Sequence, residues 1–209
     1  TYYAHIGCFL EKIGVPVPRI IFLREDLNLV IEEDLGNTDL YALRSLTWEK
    51  KKPLYVETLF AILNLHRYPV NEFEKENVKT CRPFDHELYE WERKYFIDNF
   101  VREIVSIKVE PSFYKELSEE FEILTSHLLS MPFCLIHRDL QSQNLMVRGE
   151  KVYLIDFQGM RIGNPFYDLG SLLFDPYVSF EENERKEVFE LYYSEQGFGL
   201  SLEEANHAL

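Results

Sequence analysis

Eight consecutive residues, His137-Arg138-Asp139-Leu140-Gln141-Ser142-Gln143-Asn144, set a carboxylate and a side-chain amide five positions apart in one polar loop. Twelve positions further on, the apolar run Lys151 to Ile155 delivers a second carboxylate, Asp156, followed by Phe157 and Gln158. The pattern is H-R-D-x-x-x-x-N and then a strand-borne D-F, and phosphoryl transfer needs few other parts. It requires a group to receive the proton of the acceptor hydroxyl, oxygen ligands for magnesium, and a scaffold that holds these in line with the transferred group. Magnesium favours hard oxygens and keeps several waters, so one Asp and one Asn with phosphate oxygens suffice, and Asp156 and Asn144 are the candidate ligands. A free Asp has a pKa of about 4, too low for a strong base toward a hydroxyl. Asp139 is therefore expected to orient that hydroxyl and take its proton late, as the phosphoryl bond forms.

The elements that must position these residues are legible around them. Phe133 to Ile136 and Lys151 to Ile155 read as short apolar strands bracketing the loop. Tyr3 to Ile13 reads as a helix stopped by Gly14-Val15-Pro16-Val17-Pro18, since the residue before proline is pushed out of the helical region. Arg19 to Leu23 and Leu27 to Glu32 read as a β-hairpin joined through Arg24-Glu25-Asp26. The polar stretch Glu33-Asp34-Leu35-Gly36-Asn37 reads as a hinge, and helical patterns dominate beyond it. Helices are expected over Leu54 to Tyr68, over Phe84 to Val109, and from Pro111-Ser112 to Met131, with Ser112 as a cap. A helical tail starts at Asp168. The fold class is α+β: residues 1–36 form a small N-lobe of helix plus hairpin with the hinge, and residues 37–209 form a mostly helical C-lobe carrying the loop.

Composition narrows the function. The 209 residues carry 22 Lys and Arg against 36 Asp and Glu, a net charge of −14. A field of that sign repels phosphate backbones and anionic lipid, so nucleic acid and membrane are poor partners and a small-molecule substrate is expected. Hydrophobic residues at 46% and charged residues at 28% are those of a folded domain. Cys8, Cys81 and Cys134 are odd in number and widely spaced, which fits neither a disulfide framework nor a zinc knuckle and points to a reducing cytoplasm. No apolar run approaches the ~18 to 20 residues of a membrane span.

Several residues have ordinary readings. His137, between an apolar strand and Arg138, is expected to pack and to bond its own loop. Arg138 suits either a phosphate or a carboxylate. Asp168 stands where it would cap a helix. Trp91, in a stripe with Leu88, Tyr95 and Ile104, reads as core, and Asp85, Glu87, Glu90 and Glu92 read as a solvated face. The other histidines form no zinc pattern.

Four segments together resemble the aminoglycoside phosphotransferase and choline kinase-like branch of the protein-kinase-like fold: Val30-Ile31-Glu32-Glu33-Asp34-Leu35-Gly36, His137 to Asn144, Ile155 to Gln158, and Ile162-Gly163-Asn164-Pro165-Phe166-Tyr167-Asp168-Leu169. Within that branch the chain is most similar to the bacterial N-acetylmuramate/N-acetylglucosamine kinase group. The resemblance covers nearly the whole chain. It implies a two-lobed fold, ATP and Mg2+ as cofactors, adenine held by main-chain groups around Glu33 and Leu35, Asp168 bracing the catalytic loop, and a substrate-proximal helix at Asp85, Glu87, Glu90 and Glu92, beside their reading as a solvated face. It also implies a Gly-rich loop and a strand lysine, which this sequence does not contain; its first residues already read as helix and its last as a helix just begun, so both are expected outside it. The expected function is transfer of the γ-phosphoryl group of ATP to a hydroxyl of an amino sugar. The rivals are a catalytically degenerate nucleotide-binding module and a protein kinase. The second is disfavoured because the twelve steps from Asp156 to Asp168 include Pro165 and no A-P-E.

Overall fold

A computed structural model describes residues 1–105 and 111–208. Helix α1 (Tyr2–Lys12) is capped by the Thr1 hydroxyl, which accepts the Ala4 N–H at 3.4 Å, and it buries Ile6, Phe9 and Leu10 at helical spacing. Gly14 at φ 80° then takes the left-handed step that ends it, a conformation glycine adopts without strain. Strands β1 (Ile20–Arg24) and β2 (Leu29–Glu32) form the expected antiparallel hairpin, with Leu23 opposite Val30. The turn is longer than its three polar residues suggested: Glu25–Leu27 make a 3-10 turn and Asn28 adopts φ 49°.

Helix α2 (Trp48–His66) begins six residues before the expected Leu54. Pro53 lies inside it, where the carbonyl that loses its partner belongs to an exposed turn that water can satisfy. A short helix α3 (Val70–Phe73) follows. Helix α4 (His86–Phe96) is capped by Asp85, whose Oδ1 accepts the Leu88 N–H at 2.8 Å, and it continues as a π-helix over Ile97–Val105. The remainder of the long helix expected to reach Val109 lies outside the described residues. Helix α5 (Pro111–Ser130) already includes Ser112, so Ser112 is not its cap.

Strands β3 (Cys134–Ile136) and β6 (Arg161–Gly163) pair antiparallel, as do β4 (Leu145–Arg148) and β5 (Lys151–Leu154). Helices α6 (Phe166–Leu173), α7 (Glu182–Glu195) and α8 (Leu202–Ala208) close the chain. The main core joins α2, β3, β5, α6 and α7 through Leu59, Ile62, Leu135, Leu154, Leu172 and Tyr192. A second cluster, Phe84, Tyr89, Cys134 and Ile136, sits under β3. Trp91, Tyr95 and Ile104 are not core as expected, being 54%, 59% and 72% exposed. That helix buries Tyr89 and packs Leu88 against the second cluster, while the rest of the stripe, from Trp91 on, faces outward.

Candidate active site

Strand pairing assembles the site. The register sets Leu154 at the end of β5 opposite Leu145 at the start of β4, so the residues just outside the pair become neighbours. The Ile155 N–H accordingly donates to the Asn144 carbonyl at 3.0 Å, and Asp156 emerges beside Asn144. Between β3 and β4 the His137–Asn144 loop must turn sharply, and its tightest residue is Arg138 at φ 84°. Such a conformation for a side chain larger than glycine's costs ~1 to 3 kcal/mol and persists only where surrounding groups hold it. Asp168 supplies the hold. Its Oδ1 accepts the Arg138 N–H and its Oδ2 accepts the His137 N–H, both at 2.7 Å. Asp168 is the third residue of α6 and fully buried; the helix entry is served by Asn164, whose Oδ1 accepts the Phe166 N–H at 2.8 Å. Of its two readings, the brace and not the cap is what the geometry contains. Asp175 does the same for the far half of the loop, accepting the Ser142 N–H at 2.7 Å.

His137 is buried. Its Nε2 faces the Ile155 carbonyl at 3.0 Å and its Nδ1 the Asp139 N–H at 3.3 Å, so Nε2 carries the proton and the ring ties the loop to the end of β5. Burial lowers its pKa, outweighing the nearby carboxylates, and the imidazole stays uncharged. Asp139 is half-buried, and desolvation raises its carboxyl above the ordinary value, with the Asp156 charge adding to the effect against His137 and Arg138. The Asn144 Nδ2 donates to the Asp139 carbonyl at 2.9 Å, which leaves its Oδ1 without a hydrogen bond among the described residues. Asp156 is exposed and left-handed at φ 62°, a conformation Asp tolerates, and the Gln158 side-chain amide donates to its Oδ1. Behind it, Phe157 stacks on Tyr3 of α1 with centroids 4.7 Å apart. Gly7 makes room for that ring, since a Cβ there would lie 3.2 Å from its Cζ.

Magnesium fits this donor set. One exposed carboxylate and one free amide oxygen, both hard donors on adjacent backbone, leave most of an octahedron to water and phosphate. Among the described residues there is no cluster of three or more acidic, His or Cys side chains that could hold a metal, which such a shared site does not need.

At the hinge, the Glu33 carboxylate pairs with Arg148 at 2.8 Å, which lowers its pKa and turns the side chain toward β4. Leu35 buries its side chain. The Glu33 C=O and the Leu35 N–H make no hydrogen bond to the described residues, so an acceptor and a donor remain there for a planar base edge.

The acidic face read as solvated is divided. Glu90 is exposed, but Glu92 is half-buried and accepts the Tyr167 hydroxyl at 3.0 Å, and burial raises its carboxyl pKa. It borders a cavity of about 330 Å³ between α4, α5 and α6, lined by Tyr89, Phe96, Phe121, Leu128 and Tyr167. The buried Tyr89 hydroxyl has no hydrogen-bond partner among the described residues. Tyr89, Tyr167 and Asp175 were not identified from sequence as site residues, and Glu92 was not singled out from its acidic run, because a single Glu there carries no periodic sign of burial. Arg138 makes no ion pair among the described residues, and its stem lies along Gly159. From Asp156 the chain passes through a 3-10 turn and β6 directly into α6. No described helix is long and apolar enough to cross a membrane.

Known proteins resemble this chain in sequence and in fold. An N-acetylmuramate/N-acetylglucosamine kinase of Neisseria meningitidis is 27% identical over 169 residues, covering 80% of this chain and 49% of that protein. Another of that name from Pseudomonas aeruginosa is 24% identical over 181 residues, covering 86% of this chain and 51% of that one. The chain thus spans about half the length of the curated relatives it matches. In fold it is similar to the ADP-bound aminoglycoside phosphotransferase APH(2'')-Ib, with TM-score 0.63 and 16% identity over 99% of this chain and 68% of that one. It is similar as well to the choline kinase LicA of Streptococcus pneumoniae, with TM-score 0.62 and 15% identity over 100% of this chain and 67% of that one. The fold is therefore protein-kinase-like. Residues 4–201 match the phosphotransferase enzyme family, and the chain belongs to it.

Proposed function

We propose that this chain forms the catalytic part of a cytoplasmic kinase that moves the γ-phosphoryl group of ATP to a hydroxyl of a small amino sugar of the N-acetylmuramate or N-acetylglucosamine kind. The observation that carries the reading is the convergence of Asp139, Asn144 and Asp156 at one end of the β4–β5 pair, with the loop between them braced from both sides. A module that had given up catalysis would have no use for a strained Arg138 held by a buried carboxylate. In this reading Asn144 Oδ1 and the Asp156 carboxylate hold Mg2+, which neutralises charge on the nucleotide phosphates. Asp139 aligns the acceptor hydroxyl and receives its proton. His137 and Asp168 fix the loop, while the Glu33 carbonyl and Leu35 amide take the adenine edge.

The cavity beside Glu92 suits the acceptor. Its apolar and aromatic walls match the C–H face of a sugar ring, and the Glu92 carboxylate, beside the Tyr167 hydroxyl, offers an acceptor to a sugar hydroxyl. The direct run from Asp156 through β6 into α6 leaves little room for an activation loop and a peptide platform. The test is Mg-ATP-dependent ADP release by the full-length protein with N-acetylmuramate, N-acetylglucosamine, choline and an aminoglycoside, with Asp139→Asn as control. Release with either sugar that is lost in the control supports the reading. Release with choline or the aminoglycoside alone moves the substrate class, and nucleotide binding without release for any acceptor overturns the kinase assignment.

A further inference from the structure

Behind the catalytic loop, three side chains from three helices form one buried line. The Tyr192 hydroxyl of α7 lies 2.7 Å from His66 Nδ1, and His66 Nε2, at the end of α2, lies 3.0 Å from Asp168 Oδ2. The side chains of His66 and Asp168 are fully buried, as is Tyr192. Satisfying every polar atom fixes the protons. Asp168 already accepts two main-chain N–H groups and has no proton to give, so Nε2 must donate to it. If Nδ1 also carried a proton, the Tyr192 hydroxyl would have to accept, and its own hydrogen would be buried with no other acceptor among the described residues. One arrangement remains: Tyr192 O–H to Nδ1, and Nε2–H to Asp168.

We infer that Tyr192 is a positioning residue for the catalytic loop: its hydroxyl fixes the His66 tautomer, so that His66 donates to Asp168 and holds that carboxylate where it captures the left-handed backbone of Arg138, next to Asp139. This rests on the kinase reading only for its catalytic consequence. The Tyr192 ring also packs against Phe166 at 5.9 Å, a contact that phenylalanine preserves, so Tyr192→Phe removes the hydroxyl and leaves the core filled. His66 Nδ1 is then unpartnered, and arrangements that turn a lone pair toward Asp168 compete.

The test has two arms. In the full-length protein labelled with 15N-histidine, the His66 nitrogen shifts should report Nε2–H and bare Nδ1, and the Arg138 amide should exchange with solvent roughly tenfold faster in Tyr192→Phe. In kinetics, Tyr192→Phe should lower kcat roughly five- to twentyfold with both KM values within about twofold. His66→Gln, which keeps a donor toward Asp168, should retain more kcat than His66→Ala, and adding Tyr192→Phe to His66→Gln should cost little more. A proton on Nδ1 in the wild type overturns the inference. So does a Tyr192→Phe protein that melts earlier but, once folded, keeps wild-type kcat and Arg138 exchange. Should the wild type transfer no phosphoryl group, the kinase reading fails alone, and tautomer and exchange still decide this one.

Discussion

The side-chain amide nitrogen of Asn144 donates to the main-chain carbonyl of Asp139 at 2.9 Å, so one of the two candidate metal ligands is oriented by the backbone of the candidate catalytic residue. That bond selects which end of the amide is free. Asn144→Asp supplies oxygen but no donor, and sets a carboxylate against the Asp139 carbonyl. Turnover is expected to fall roughly tenfold to a hundredfold, the range for losing an orienting partner of a metal ligand. Steady-state kinetics over a magnesium series checks this; an Asn144→Asp enzyme with wild-type magnesium dependence would remove Asn144 from the metal site.

Asp139→Asn is expected to keep nucleotide affinity and lose ~10²- to 10⁴-fold in kcat, the usual worth of a positioned proton acceptor. The wild type should also show an acid limb in kcat/KM. The active form is the carboxylate, and its pKa is raised by burial, so activity is present above that pKa and lost as pH falls through it. The limb should therefore lie above the ~3.9 of a free Asp. No limb is expected near the pKa of a free imidazole, because burial lowers that of His137 and both its ring nitrogens are engaged. A limb at or below the free value, measured with a pH-independent acceptor, would contradict the assignment.

Asp156→Ala should weaken magnesium-dependent nucleotide binding by at least ~tenfold in calorimetry, while binding without magnesium changes little. Equal losses with and without the metal would indicate that Asp156 acts on the loop instead.

The sequence revealed the loop and its flanking strands because their chemistry is local: H-R-D, the amide five residues on, and apolar runs on either side. The hairpin and α1 were legible through Pro16, Pro18 and the polar turn. What it concealed depends on distance in sequence. Nothing near residue 66 or 192 says that His66 and Tyr192 meet Asp168, and Glu92 differs from exposed Glu90 only through the tertiary placement of Tyr167. Trp91 failed as a core residue for the same reason. Leu88 of the same stripe packs against the second cluster and Trp91 does not, and only the folded partner decides where along the helix that contact ends.

Gly163 tests the scaffold independently of chemistry. It lies opposite Cys134 in the β3–β6 pair, and a Cβ there would fall 2.7 Å from Ile136 Cδ1 and 2.9 Å from Phe84 Cδ2, both in buried side chains. Neither neighbour has free space to retreat into, so Gly163→Ala should cost ~1 to 3 kcal/mol, as overpacking does. The urea midpoint should fall at unchanged slope. An unchanged midpoint would mean that the second core cluster is looser than its burial implies.

Glu92→Gln separates acceptor recognition from chemistry. The amide keeps the size and can still accept the Tyr167 hydroxyl, but it loses the charge that a sugar hydroxyl would donate to, and hydrogen bonds to charged groups exceed neutral ones by ~1 kcal/mol. The expected result is a KM for the acceptor raised roughly fivefold, with kcat and the KM for ATP nearly unchanged. Because burial raises the pKa of Glu92, the wild-type acceptor KM should also rise on acidification at a higher pH than a free Glu would give, and Glu92→Gln should flatten that dependence. If kcat falls instead while the acceptor KM holds, Glu92 supports the loop through Tyr167, which adjoins Asp168, and the acceptor must lie elsewhere.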